Sequence, residues 1–255
     1  MKKNKIIALL SLLLGMGIMI YSGSQFLETK RVYREGNNMY DDLRNQVSEE
    51  FSFSPPPANT KDAEHVYFPQ RYIDFAALQA INKDAAAWLY SPGTVIDYPV
   101  MIATDYNYYL GHLPDGTKNA NGALFIDYNC AADFSEKLTV IYGHNMKSGR
   151  MFGSLKGYKT QSYYDERPNM YLYTEQENYR IELLYGCVIG AGQWRERAFM
   201  YAENMDALLS YAEHNTTFKS NVQYEEGDRI VALSTCSYEF NNARYVVIGI
   251  LRGEN

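Results

Sequence analysis

Residues 228–252, DRIVALSTCSYEFNNARYVVIGILR, contain two apolar runs separated by a short polar loop. Both runs are rich in β-branched residues, which favour strands, and the loop SYEFNNA is short enough for the two strands to pair as a hairpin. That pairing brings Arg244, at the start of the second run, close to Cys236, at the end of the first. The stretch therefore predicts a β-sheet and a thiol with a cation beside it.

Similar runs recur along the chain, each bounded by Gly, Asn, Asp or Pro. They are VIDYPVMI after the turn at Ser91-Pro92-Gly93, GALFIDYN, KLTVIYGHN, MYLYTE and YRIELLYGCVIG. Two helices are predicted among them, over DFAALQAIN and over AENMDALLSYAEHN, where apolar residues follow helical spacing. Seven or so strands in one domain indicate a mainly β fold, either a closed barrel or a sandwich.

Composition and charge exclude some classes of function. The chain has 255 residues, of which 46% are hydrophobic, so it can bury a sizeable core. Its net charge of −6 and the lack of a clustered basic surface argue against a nucleic-acid partner. The three cysteines are an odd number, so at least one thiol is free unless it pairs between chains.

The N-terminus predicts a membrane anchor. Lys2, Lys3 and Lys5 precede an uncharged apolar stretch at residues 6–27, which is long enough to cross a bilayer. A cleaved signal peptide is the competing interpretation, but Ser22-Gly23-Ser24 matches the usual cleavage pattern poorly. The leading lysines favour a cytoplasmic N-terminus and a domain outside the cell.

The segment after the anchor predicts a helix and then a stiff connector. Met39, Leu43, Val47 and Phe51 recur every fourth residue, which places them on one face of a helix that either packs on the domain or stands as a stalk. The three prolines of FSFSPPPANT end it. We therefore divide the chain into an anchor at 1–27, a helical stalk and Pro-rich linker at 28–60, and a catalytic domain at 61–255.

Cys236 is the candidate nucleophile. Strand alternation places it on one face with Ala232 and Ser234, and these small side chains leave room for a ligand. A cation at Arg244 favours the thiolate and can stabilise an oxyanion. Cys130 and Cys187 have no neighbouring cation in sequence, so packing explains them more simply than a bridge does.

A thiol nucleophile also needs a proton carrier, normally a histidine. The chain has four: His65 in the connector, His112 in a probable loop, His144 just past a strand end, and His214 at the end of the inserted helix. The position of His144 in VIYGHNM distinguishes it from the others.

The ordered set YGHNM, LSTC and ARYVV resembles the active site of the sortases, the cysteine transpeptidases of Gram-positive bacterial surfaces. From about residue 73 onward, INKDAAAWLYSPGTVIDYPV, YNYYL, GALFIDYN and GRMFGSLKGY are similar to class B sortases, and so is the inserted helix before the cysteine strand. The resemblance implies a closed barrel of about eight strands, N-terminal helices and a single-pass anchor in the cell membrane, with the catalytic domain extracellular.

The resemblance also implies a mechanism. Cys236 would attack a threonine carbonyl in the C-terminal sorting motif of a secreted protein and form a thioester. His144 would protonate the leaving amine, Arg244 would bind the motif and the oxyanion with help from the Ser237 N–H, and a peptidoglycan precursor amine would accept the acyl group. The expected substrate contacts are Ser234, Thr235 and Ser237, and no cofactor or metal is needed.

Several points stay open at this level. The family signature TLxTC usually begins with threonine, where this chain has Ala232. Class B relatives often process a motif resembling Asn-Pro-x-Thr-x, but others do not, so the motif and the acceptor amine are undetermined. A cysteine endopeptidase that uses water and a non-catalytic tethered binding module are the alternatives. A pilin-polymerising sortase is disfavoured, because its Asp-Pro-aromatic lid does not occur in this sequence.

Overall fold

A computed structural model describes residues 2–50, 71–194 and 203–254 of the chain. The prolines at 55–57, Phe51 and His65 lie outside the described residues. Among the described residues, β1 (Ser48–Glu50) and β2 (Arg71–Ile73) form a short two-stranded sheet, and eight further strands form a barrel. The barrel strands are β3 (Ala85–Tyr90), β4 (Asp97–Ile102), β5 (Leu124–Ile126), β6 (Leu138–Tyr142), β7 (Asn169–Thr174), β8 (Asn178–Gly190), β9 (Arg229–Cys236) and β10 (Ala243–Gly253).

The barrel closes in the order β10-β8-β7-β3-β4-β5-β6-β9, which confirms the predicted barrel rather than a sandwich. Its pairs are antiparallel except β4 with β5 and β6 with β9, which are parallel. The parallel pairing makes β6 and β9 end at the same edge of the barrel. Residues that follow these two strands are therefore neighbours in space.

Alternation along β9 separates two apolar cores. Val231 and Leu233 face the cluster that all eight barrel strands share, whereas Ile230 and Ala232 face an outer cluster. Ala232 lies between Val140 and Ile248 of the neighbouring strands and is fully buried. A threonine hydroxyl would meet apolar side chains there, so alanine suits this position.

Four short helical elements and one inserted helix lie around the barrel. They are α2 (Phe75–Ile81), the 3-10 segments Tyr108–Leu110 and Phe152–Lys159, α3 (Gln161–Glu166) and α4 (Met205–His214). The side chains of Asp74 and Asn204 cap α2 and α4 by accepting backbone N–H bonds of 2.9 and 3.1 Å. Both helices were predicted, and α4 packs Leu208 and Ala212 on the outer cluster of β9.

The N-terminal helix α1 (Lys2–Val47) runs without a break through the predicted boundary at residue 27. Its part from Ile7 to Leu27 exposes its apolar side chains and is long and apolar enough to cross a membrane. Its last turns pack on the barrel, burying Gly36, Tyr40, Leu43 and Val47. The segment proposed as a stalk is thus docked along one face, while the domain boundaries themselves stay a prediction.

Candidate active site

A pocket of about 130 Å³ opens where β6 and β9 end and β10 begins. Cys236, His144 and Arg244 all line it, although they come from three separate segments of the chain. The other lining residues are Tyr106, Leu110, Phe125, Tyr142, Gly143, Ala191, Trp194, Ser234 and Thr235. The structure therefore brings the three predicted catalytic residues to one solvent-reachable site.

One side of the pocket, which we call the strand side, consists of Cys236 and Arg244. The β9–β10 ladder pairs these two residues directly, as the hairpin predicted. Both side chains are partly exposed, and Arg244 Nη1 donates to the Ala243 carbonyl at 3.0 Å. Among the residues that the structure describes, no carboxylate forms an ion pair with Arg244, so its charge is available to a ligand.

The opposite side, which we call the loop side, consists of residues 143–146 after β6 and carries His144. His144 Nε2 lies 2.7 Å from the carbonyl oxygen of Leu110, which can only accept, so Nε2 carries a proton. Nδ1 is then the nitrogen that can gain and lose a proton. The imidazole is oriented by a backbone acceptor, as a general acid–base group requires.

Two side-chain hydrogen bonds connect the loop side to β9, in addition to the backbone bond from the Gly143 N–H to the Ser234 carbonyl at 3.3 Å. Asn145 Nδ2 donates to the Cys236 carbonyl at 2.7 Å, and Thr235 Oγ1 donates to the Gly143 carbonyl at 2.7 Å. They cross between β9 and the histidine loop in opposite directions. Sequence reasoning missed the role of Asn145, because its partner lies 91 positions away in the chain.

The three predicted substrate contacts have different surroundings. Ser234 lines the pocket, and its buried Oγ has no hydrogen-bond partner among the described residues. Thr235 also lines the pocket, but its hydroxyl is already engaged with Gly143. Ser234 is therefore the one of these three whose hydroxyl is available to a substrate.

Ser237 requires a correction. Its backbone N–H, expected to help bind the oxyanion, donates instead to the Ala243 carbonyl at 2.9 Å, because the hairpin ladder continues one residue past Cys236. Its hydroxyl bonds Glu239 and accepts from Lys159 Nζ at 3.0 Å, and the residue does not line the pocket. In this structure Ser237 holds the hairpin loop and does not face the substrate site.

Lys159, Glu239 and Ser237 together form a polar clip between the hairpin loop and the 3-10 segment Phe152–Lys159. Lys159 also lies 4.8 Å above the ring of Tyr245. Burial raises the pKa of Glu239, but hydrogen bonds from Lys159 and Ser237 outweigh it and lower the pKa to about 2. The Glu239 carboxylate is therefore ionised at neutral pH.

An aromatic wall completes the pocket. Tyr142 and Tyr106 direct their hydroxyls to the buried carboxylate of Asp127, at 2.9 and 3.1 Å. Burial, and then the neighbouring Asp127 charge, raise the pKa of Tyr142, so the phenol stays neutral. These tyrosines and Trp194 were not predicted, because their contribution depends on contacts between distant segments.

The other histidines that the structure describes, and the other two cysteines, lie away from the pocket. His112 stacks on Tyr108 and bonds its carbonyl, while His214 is exposed at the end of α4. All three cysteines are free, so Cys130 and Cys187 do not form a bridge. Burial raises the pKa of Cys130 to about 11 and that of Cys187 to about 12, which leaves both thiols protonated and unreactive at neutral pH.

A closed barrel with a thiol, an imidazole and a guanidinium around one pocket defines a cysteine-dependent acyl-transfer enzyme. No family model matches the chain. Sortase B of Listeria monocytogenes is 30% identical over 241 residues, covering 92% of this chain and 93% of the relative, and sortase B of Staphylococcus aureus is 24% identical over 251 residues, covering 97% of both. The chain belongs to the class B sortases, which are cysteine transpeptidases.

Solved structures agree with this assignment. Sortase B of Clostridium perfringens superposes with a TM-score of 0.65 at 29% identity, over 70% of this chain and 99% of that one. Sortase B of Bacillus anthracis superposes with a TM-score of 0.68 at 24% identity, over 88% and 99%, which bears on the fold alone. The closed barrel with N-terminal helices is thus the fold expected from the sequence.

Proposed function

We propose that this transpeptidase cleaves the C-terminal sorting motif of secreted proteins after threonine and transfers them to an amine of peptidoglycan or its lipid-linked precursor. Cys236 is the nucleophile, His144 the proton carrier and Arg244 the group that binds the motif and the oxyanion. The supporting observation is that the three side chains line one pocket, with Arg244 directly across the ladder from Cys236.

The first half-reaction is acyl transfer to sulfur. The Cys236 thiolate attacks the threonine carbonyl, and negative charge moves to the carbonyl oxygen. The Arg244 guanidinium, which forms no ion pair with a described residue, can stabilise that charge. The C–N bond then breaks, and His144 gives its Nδ1 proton to the leaving amine. The product is a thioester on Cys236 and a released C-terminal fragment.

The second half-reaction reverses these roles. The incoming amine attacks the thioester, His144 takes its proton, and the C–S bond breaks to regenerate the thiolate. Because the thioester retains the free energy of the amide, the exchange needs no nucleotide. Attack by water on the same thioester would instead give hydrolysis.

Substrate binding follows from the lining of the pocket. The Ser234 hydroxyl, which has no hydrogen-bond partner among the described residues, offers a polar contact, and the aromatic wall offers an apolar one. A small pocket with a few convergent polar groups is typical of specific recognition. We assign Ser234 to substrate contact, whereas Thr235 and Ser237 support the site from behind.

The apolar part of α1 fits a membrane anchor with the catalytic domain outside the cell. A substrate held by its own hydrophobic tail and a lipid-linked acceptor would both lie at the outer leaflet. Tethering the enzyme to the same surface would raise the effective concentration of both reactants.

Mass spectrometry of the full-length chain with a panel of Pro-x-Thr peptides tests the assignment of Cys236. We expect a thioester adduct in the parent chain and in Cys130→Ala, and none in Cys236→Ala, because only Cys236 lines the pocket. An adduct on Cys236→Ala would contradict the mechanism. Products formed with and without added triglycine distinguish transpeptidation from hydrolysis.

A further inference from the structure

The docked part of α1 reaches the backbone against which His144 lies. Tyr40 Oη donates to the carbonyl of Gly122 at 2.5 Å, and the tyrosine is almost completely buried. The two residues are 82 positions apart in sequence. A helix at one end of the chain thus holds a loop that begins near the active site.

Gly122 lies against the His144 imidazole and against the backbone of Leu110. Its φ is +60°, and a methyl group on it would lie 2.9 Å from His144 Cδ2 and 3.0 Å from the Leu110 carbonyl oxygen. The same carbonyl accepts the proton of His144 Nε2. The backbone of Gly122 is therefore packed against both the imidazole and the acceptor that orients it.

Two asparagines fix the same loop to α1. Asn119 Nδ2 donates to the Val32 carbonyl at 2.9 Å, and Asn121 Nδ2 donates to Asn37 Oδ1 at 3.1 Å. Gly36 allows this approach, since a methyl group there would lie 2.5 Å from Asn121 Nδ2. α1 and the loop 119–122 consequently form one packed unit.

We propose that Tyr40 is a positioning residue for His144 and acts through Gly122. The inference rests on the proposed role of His144 as proton carrier. Because α1 is continuous, the helix that carries the predicted anchor also sets the position of the imidazole. A shift of the docked turns would be transmitted to the catalytic group without touching the substrate.

Tyr40→Phe removes only the hydroxyl, and Gly36→Ala adds only a methyl group, in a helix that alanine favours. Each has a matched control. Tyr158→Phe removes another buried tyrosine hydroxyl, which donates to the Arg167 carbonyl at 3.0 Å, and Gly23→Ala adds a methyl group to α1 where nothing lies within 4 Å. Full-length variants in detergent are compared by kcat, KM and the folded fraction from circular dichroism.

We expect kcat to fall about tenfold in Tyr40→Phe and Gly36→Ala, with KM nearly unchanged, because a slightly misplaced catalytic group loses rate rather than binding. The two controls should keep the parent kcat and KM.

The inference is overturned if kcat falls only in proportion to the folded fraction, or if both variants behave like their controls. His144→Ala separates this result from failure of the proposed mechanism. If His144→Ala is inactive while Tyr40→Phe and Gly36→Ala are normal, only the positioning role fails. If His144→Ala is fully active, the proton carrier is another group and both proposals fail.

Discussion

The two sides of the pocket are built in different ways. On the strand side, Cys236 and Arg244 are neighbours in a continuous antiparallel ladder, so the backbone itself sets their separation. On the loop side, His144 is placed by separate contacts with Leu110 and Gly122. A regular ladder tolerates side-chain changes, whereas a loop held by a few contacts does not.

This difference predicts two kinds of variant: those that lose a reacting group and those that displace one. A substitution on the strand side removes a reacting group but leaves the backbone at that residue in place. A substitution in the loop-side supports leaves every reacting group present but displaces one of them. The two kinds of variant should therefore differ in the size of their effect and in how far kcat and KM change together.

Among variants that keep Cys236 and His144, Arg244→Lys should have the largest effect. Lysine keeps the charge but loses the planar fork of donors, and loss of one oxyanion donor costs about 100- to 1,000-fold in kcat. We expect the melting temperature to change little, since the ladder pairing of residue 244 is a backbone property. Steady-state kinetics with a sorting-motif peptide and thermal unfolding measure the two quantities.

Arg180→Lys is the matched control, because Arg180 on β8 pairs with Glu182 away from the pocket. It should retain the parent kcat. Near-parent turnover in Arg244→Lys would show that a point charge is sufficient, and the strand side would then need no guanidinium.

The two side-chain hydrogen bonds that connect the loop side to β9 should have an intermediate effect. Asn145→Ala and Thr235→Val each remove one of them, and a bond worth about 1 kcal/mol corresponds to roughly a fivefold to tenfold loss of kcat. Because both bonds join the same two segments, the double variant should lose less than the sum of the two free energies. A double-mutant cycle on kcat measures this coupling.

Asn215→Ala provides a control, since Asn215 makes a local bond to the Tyr211 carbonyl on exposed α4. Strict additivity of Asn145→Ala and Thr235→Val would show that the two bonds act independently. The loop side would then not behave as one unit with β9.

The strand side could be predicted because its signals are local. Period-2 alternation and a short loop indicated the hairpin, and the hairpin alone determined that Arg244 faces Cys236. The inserted helix α4 was predicted for the same reason, from helical spacing between two strands. Local periodicity also placed Leu43 and Val47 on the buried face of α1.

The supports of the loop side could not be predicted, because they join residues far apart in the chain. Nothing in the neighbourhood of Tyr40 indicates a bond to Gly122, and Asn145 bonds a carbonyl 91 positions away. Ser237 is a related case: the family resemblance implied that its N–H helps to bind the oxyanion, but in the structure the hairpin ladder engages that N–H. A strand pattern predicts which residues lie next to each other, but it does not predict which acceptor each backbone N–H will bond.

Removing the charge of Glu239 should have the smallest effect of the changes considered, and the quantity affected is the stability of the fold. It tests whether side chains of the hairpin loop help the ladder to hold the strand side. The pKa of Glu239 falls from 4.5 to about 2 in the folded protein, so its ionised form stabilises the fold above about pH 4.5, and this contribution is lost as the pH falls toward 2. Because 39% of the side chain is exposed, solvent screening should limit the effect to below about 1 kcal/mol. The melting temperature of Glu239→Gln should thus lie slightly below that of the parent at neutral pH and converge with it in acid. The control Glu166→Gln should keep a melting temperature close to that of the parent, because an ion pair whose carboxylate side chain is 67% exposed contributes little. A difference for Glu239→Gln that stays constant with pH would mean that the clip contributes packing rather than charge, and the strand side would then depend on its ladder alone.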